Sequence, residues 1–294
     1  VRVAALQAAI TPSREDNLAR VEVLARAAAE AGAQVLVPSE LYETRYFPAQ
    51  GQDEEHFRLA HPLPGHPTVE HARRLAAELG VVFVSTVFER AGQAFFNTAV
   101  VVDAGGDVLG FYRKSHLPDG PGYQEKFYFA PGDTGFRVWS TRFARLGVGI
   151  CWDQWFPEAA RAMALAGAEL LVYPTAIGSE PAAPEQDTSG PWRRVMQGHA
   201  AANAVPVVAA NRVGDEGRVR FYGQSFATDG EGAVVSQVAD GEEGIALATY
   251  DLDALDRTRA GWGFFRDRRP ALYGALGTLD GGAPARPPGG APSP

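Results

Sequence analysis

The chain repeats itself once, and that repetition constrains its fold more than any other feature. Glu30-Ala-Gly-Ala-Gln-Val-Leu-Val-Pro-Ser39 is echoed by Leu165-Ala-Gly-Ala-Glu-Leu-Leu-Val-Tyr-Pro-Thr175. In each copy a helix is expected to end at Ala-Gly-Ala, and a short apolar strand then runs into proline and a hydroxyl residue. A further apolar strand precedes each copy, at residues 1–6 and 146–150. A single repetition is a duplication, not a solenoid period. Two similar strand–helix–strand halves predict an α/β protein with two stacked sheets and helices outside, a four-layer αββα sandwich with two pseudo-symmetric halves.

The remaining punctuation fits this frame. Leu18, Val21, Leu24, Ala25 and Ala28 recur at helical spacing, after candidate caps at Ser13 or Asp16 and before Gly32. Helices are also predicted over 68–79 and 191–203. Strands are predicted over 35–37, 81–88, 205–210 and 245–251, and hairpins turn at 103–107 and 228–232. Residues 115–135 form a long irregular stretch rich in Gly, Pro and aromatics, the kind of segment that is usually functional inside a compact domain. With 294 residues, 46% hydrophobic and 21% charged, the chain has enough apolar material for one large core. One domain over 1–277 is expected, followed by a disordered Gly/Pro-rich tail over 278–294.

A net charge of −8 argues against a nucleic-acid surface and permits a cationic ligand. The apolar runs are too short to span a bilayer, and residues 1–6 open as a strand, not as a leader, so a soluble protein without membrane contact is expected. One cysteine excludes an internal disulfide and a four-cysteine zinc site, and it fits a reducing cytoplasm.

That cysteine, Cys151, lies in Gly147-Val-Gly-Ile-Cys-Trp-Asp-Gln-Trp-Phe-Pro-Glu158, where a buried strand gives way to a helix opened by Pro157. A thiol there can act as a small hydrophobe, or a helix dipole and nearby cations can push it toward thiolate. Sites in open α/β folds form beyond strand ends. Glu40 follows strand 35–37, Lys114 follows strand 108–112, and Cys151 follows strand 146–150. Glu40 can take the thiol proton, Lys114 can face an oxyanion, and Glu125 on the long loop can orient Lys114 or move protons. Taken singly, Glu40 could be a solvated cap, Lys114 a surface charge and Glu125 a partner of Lys126. Spacing alone does not bring them together.

These residues carry a resemblance. Glu40, Tyr112-Arg-Lys114-Ser-His and Gly149-Ile-Cys151-Trp-Asp resemble the Glu–Lys–Cys signature of the nitrilase superfamily of carbon–nitrogen hydrolases. The blocks 114–129, 151–158, 173–180 and 262–270 resemble the branch of that superfamily that hydrolyses N-carbamoylputrescine. The chain departs from that branch at Ser39, Pro48 and Gly190 and in a shorter loop after Asn211, all outside the Glu–Lys–Cys set. The resemblance implies an αββα fold dimerising to αββααββα, hence a homo-oligomer, a dimer or an assembly of dimers. It implies Glu40 as general base, Cys151 as nucleophile, Lys114 as oxyanion stabiliser and Glu125 in support. It implies a small cationic ureido substrate and no metal or organic cofactor.

The substrate's ammonium end wants a carboxylate, for which Glu180 is the candidate, with Tyr123, Trp152 and Trp155 as aromatic faces. A rival substrate, an N-carbamoyl amino acid, would want a cation such as Arg193 or Arg194. A third reading is a silent metabolite-binding scaffold of the same fold. Asp153 is a candidate for local backbone bonding. His116 and His199, without partners at ligand spacing, read as structural histidines. The arginines of 265–269 read as packing or subunit contact.

Overall fold

In a computed structural model of the chain, residues 1–282 are described. Most of the expected tail, 283–294, lies outside the described residues. The first half runs β1 (Arg2–Gln7), α1 (Arg14–Glu30), β2 (Val35–Pro38), α2 (Pro67–Leu79), β3 (Val82–Ala91), β4 (Ala94–Val102) and β5 (Val108–Arg113). A short helix, α3 (Glu125–Tyr128), interrupts the long loop that follows. The second half runs β6 (Val138–Ser140), β7 (Arg145–Val148), α4 (Pro157–Leu165), β8 (Leu170–Pro174), α5 (Ser189–Asn203) and β9 (Val207–Ala210). It continues through β10 (Val213–Asp215), β11 (Arg220–Tyr222), β12 (Phe226–Thr228), β13 (Val234–Gln237), β14 (Gly244–Thr249) and α6 (Leu252–Trp262).

The duplication holds strand for strand. One sheet has the order β14-β1-β2-β3-β4-β5, the other β6-β7-β8-β9-β12-β13. In each, three parallel strands occupy the middle and antiparallel strands close both sides. The repeated segments are β2 and β8, buried along their whole length. A continuous apolar run is what a strand covered on both faces requires. One face of each sheet meets the other in a shared core that includes Val37, Val84, Val148, Val172 and Val208. The outer faces are covered by α1 and α2 on one side and by α4 and α5 on the other.

Local signals explain the helix ends. Ser13 caps α1 by accepting from the Asp16 amide, which resolves the two candidate caps. Pro67 and Pro157 occupy the first turns of α2 and α4. Helix α6 was not among the sequence expectations. None of its residues is buried; Leu252 and Leu255 rest against the core only in part, which leaves a weak apolar stripe to read.

Two features aim the strand ends at one place. The loop after β2 is fastened to both outer helices: Glu43 accepts from Thr68, lies 3.1 Å from Arg14, and its carbonyl accepts from Asn17. Burial raises the Glu43 carboxyl, and Arg14 works against that rise. After β7, the chain passes Gly149, where a Cβ would lie 2.7 Å from Cε1 of the Tyr173 ring. Gly149→Ala should therefore destabilise the fold by about 1–3 kcal/mol, the usual range for overpacking. Urea denaturation would check this; wild-type stability would show that Tyr173 yields freely.

Candidate active site

Glu40, Lys114, Glu125 and Cys151 are far apart in sequence and buried together between the sheet ends. Lys114 Nζ donates to Glu40 Oε1 and to Glu125 Oε1, each at 2.7 Å. Asn97 donates to Glu40 Oε1 at 2.6 Å, and Tyr46 donates its hydroxyl to Glu125 Oε1. Among the described residues, the second oxygens of Glu40 and Glu125 have no hydrogen-bond partner. Glu125 therefore pairs with Lys114, not with Lys126.

The two repeated segments touch here, since the Glu40 amide donates to the Thr175 carbonyl at 3.2 Å. Cys151 opens a 3-10 turn, Cys151–Trp155, with φ of 41°. This is left-handed backbone in a non-glycine residue, which turns the sulfur off the strand line and costs roughly 1–3 kcal/mol. Cys151 Sγ lies 3.6 Å from the Ala176 carbonyl oxygen, which its S–H faces.

Asp153 holds the elbow in shape. Its Oδ2 accepts from the Ile150 amide at 2.9 Å and the Tyr112 hydroxyl at 2.8 Å. Its Oδ1 accepts from the His116 amide at 3.0 Å and faces His116 Nδ1 at 2.8 Å. One carboxylate thus ties the Lys114 loop to the cysteine turn. His116 stacks on Phe156, and His199 Nε2 faces the Gln154 carbonyl at 2.8 Å. Among the described residues, no group of three His, Cys, Asp or Glu is placed to hold a metal ion.

The electrostatics correct one expectation. The thiol is not pushed toward thiolate; burial, followed by repulsion from Glu40, raises it well above the ordinary cysteine range, with Lys114 opposing. A 3-10 turn separates the sulfur from α4, and the core around Cys151 disfavours charge. For Lys114 burial works against the ammonium, but the charges of Glu125, Glu40 and Cys151 outweigh it and raise its pKa. Burial pushes Glu125 up to about 7, with Lys114 opposing and Glu40 adding to the rise.

Above Cys151 lies a cleft of about 230 Å³, walled by Tyr123, Trp152 and Trp155 and reached by Asp119 and Glu180. Tyr123 is fixed by donating to the Ser179 carbonyl at 3.1 Å and accepting from the Gly178 amide at 3.0 Å. The rings of Trp152 and Trp155 lie 6.2 Å apart. Burial raises the Glu180 carboxyl. Arg193 does not reach this cleft; it donates to Gln224 at 2.9 Å, and Arg194 is likewise absent from the lining. A larger groove of about 560 Å³ beside α2 has no nucleophile, and its Arg73 and Glu89 are already paired with Glu70 and Arg113.

Sequence reasoning missed Tyr46 and Asn97, which bond the carboxylates, and Arg212 and Glu216 behind them, which bond the Glu40 carbonyl and the Tyr46 amide. No spacing or motif marks them; only the tertiary structure brings them in.

The chain belongs to the carbon–nitrogen hydrolase family, whose model matches residues 2–260. It is 54% identical to an N-carbamoylputrescine amidase of Solanum lycopersicum, over 97% of this chain and 98% of that one. It is 47% identical to a citrullinase of Francisella tularensis, over 93% and 96%. A crystal structure of a carbon-nitrogen hydrolase from Helicobacter pylori superposes with a TM-score of 0.87 at 36% identity, covering 95% of this chain and 99% of that one. The chain is thus a hydrolase of carbon–nitrogen bonds with the nitrilase-type sandwich.

If Glu40 repels charge on sulfur, Glu40→Gln should shift the pH midpoint of Cys151 alkylation downward, toward ordinary thiols. Iodoacetamide rates measured from pH 6 to 11 would show it; an unmoved midpoint would mean that the carboxylate does not act on the sulfur.

Proposed function

We propose that the chain hydrolyses N-carbamoylputrescine to putrescine, ammonia and carbon dioxide. The observation that carries the choice of substrate is the charge of the cleft. Among the described residues, its charged lining is Asp119 and Glu180, both acidic. A ureido compound ending in an ammonium meets its complement there, and an N-carbamoyl amino acid would bring its carboxylate against two others. The 54% identity to a plant N-carbamoylputrescine amidase supports the same reading.

The chemistry follows from the buried set. As Cys151 Sγ attacks the carbamoyl carbon, Glu40 accepts its proton, because a thiol held neutral needs a base at the moment of attack. Negative charge collects on the carbonyl oxygen, and the Lys114 ammonium, already fixed by two carboxylates, faces it without reorganising. The C–N bond breaks, the proton on Glu40 passes to the leaving nitrogen, and ammonia departs. A thioester-like carbamoyl enzyme remains. Water, deprotonated by Glu40, attacks it, the C–S bond breaks and sulfur regains a proton. The released carbamate loses carbon dioxide to give putrescine. Glu125 holds Lys114 from the far side. Glu180 takes the distal ammonium, with Tyr123, Trp152 and Trp155 along the methylene chain.

No helix among the described residues is long and apolar enough to cross a membrane. A reducing cytoplasm remains the proposed compartment, because the sole cysteine must stay reduced to act. The proposed assembly is a homo-oligomer: Trp262, Leu272 and Leu276 at the C-terminal end are all more than 60% exposed, a surface suited to another copy.

A panel of N-carbamoylputrescine, citrulline, N-carbamoyl amino acids and simple amides tests the substrate. Fastest ammonia release is expected from the first, with none from Cys151→Ala; faster release from citrulline would reverse the choice. Glu180→Gln should raise KM for the cationic substrate about fivefold, as for a half-exposed ion pair of about 1 kcal/mol, and leave kcat for an uncharged amide unchanged. Glu180 binds an ammonium only when ionised, and its pKa is raised. Wild-type KM should therefore climb on acidification at a higher pH than an ordinary glutamate would give. A flat KM down to pH 5 would remove Glu180 from the role.

A further inference from the structure

The structure contains a second buried ion pair beside the site, and neither member is used in the chemistry above. Arg212 and Glu216 are 0% and 2% exposed, and Arg212 Nη1 donates to Glu216 Oε1 at 2.8 Å. The remaining Nη hydrogens of the guanidinium go to peptide carbonyls of one loop. Nη2 donates to the carbonyls of Glu40 and Leu41, and Nη1 also donates to that of Thr44. Three carbonyls aimed at one point repel unless a cation lies between them, and a planar fork with several donors suits that role better than an ammonium does. Leu41 has φ of 46°, so the chain reverses in left-handed backbone directly after Glu40. The other oxygen of Glu216 accepts from the Tyr46 amide at 2.6 Å, and Tyr46 in turn donates its hydroxyl to Glu125.

We infer that Arg212 and Glu216 are positioning residues for the reaction, holding both carboxylates that flank Lys114. Arg212 sets Glu40 through its own carbonyl and the strained turn behind it. Glu216 sets Glu125 through Tyr46. The contacts close a ring from Arg212 through Glu40, Lys114, Glu125, Tyr46 and Glu216 back to Arg212. Arg212 comes just after β9 of the second half, whereas Glu40 and Tyr46 belong to the first, so the ring also joins the two halves. The Arg212 guanidinium lies 5.8 Å from the Tyr46 ring centroid and 5.4 Å from that of Phe221. A lysine at 212 keeps the charge but cannot span three carbonyls and a carboxylate in one plane.

This inference rests on the mechanism proposed for Glu40, so its test includes a reading that needs no substrate. Arg212→Lys and Glu216→Gln would be purified and checked for folding by near-UV circular dichroism. We expect kcat for N-carbamoylputrescine to fall about ten- to hundredfold, the scale of a misplaced catalytic group, with KM within twofold. We also expect the pH midpoint of Cys151 alkylation to move down, in the direction given by Glu40→Gln, because a displaced carboxylate repels the sulfur less. Folded variants with wild-type kcat and an unmoved midpoint would overturn the inference, as would a rise in KM alone. If wild-type protein releases no ammonia from this substrate, the functional reading falls, and the alkylation midpoint alone decides on the ring. Should both variants fail to fold, Tyr46→Phe tests the Glu125 arm without touching the loop carbonyls. A fall in kcat of tenfold or more supports the ring, and an unchanged kcat overturns it.

Discussion

Everything in the site depends on one ammonium group held between two carboxylates out of water. Lys114 Nζ lies 2.7 Å from both Glu40 and Glu125, and all three side chains are inaccessible to solvent. An isolated charge in such a place would be expelled or neutralised, so none of the three persists without the others. Burial pushes the Glu125 carboxyl up to about 7, Lys114 opposes the rise, and the charge of Glu40 adds to it.

The sandwich gives this cluster its setting. The loops that follow strands of the two sheets converge. The acid comes from the first sheet, the sulfur from the second, and the lysine from the edge of the first. Asp153 then ties the lysine loop to the sulfur turn, and Arg212 ties the acid loop to the second half. Fixing donors before the substrate arrives is what makes oxyanion stabilisation effective in a dry site.

Much of the architecture was legible from the duplicated Ala-Gly-Ala-x-(Leu/Val)-Leu-Val segments, because a buried strand and its flanking turns leave a local pattern. The strand-for-strand equivalence of the two sheets extends that reading. Helix α6 was not legible, since none of its residues is fully buried and Leu252 and Leu255 meet the core only in part. Of the site, Glu40, Lys114 and Cys151 were marked by their places after strands, yet their convergence came from a family resemblance and not from spacing. The thiol's protonation was misread because sequence shows the helix ahead of Cys151 but not the hydrocarbon around it. Arg212 and Glu216 look like ordinary surface charges in a polar stretch. Nothing short of the tertiary fold shows that three carbonyls of a loop some 170 positions earlier surround that guanidinium.

The two left-handed residues beside the chemistry, Leu41 and Cys151, set stability against turnover. Glycine would sit at either place without strain. At 151 it would delete the proposed nucleophile; at 41 it would loosen the turn that aims the proposed base. Selection for a hardier protein would therefore drift toward substitutions that silence the catalyst, and selection for rate must keep rejecting them.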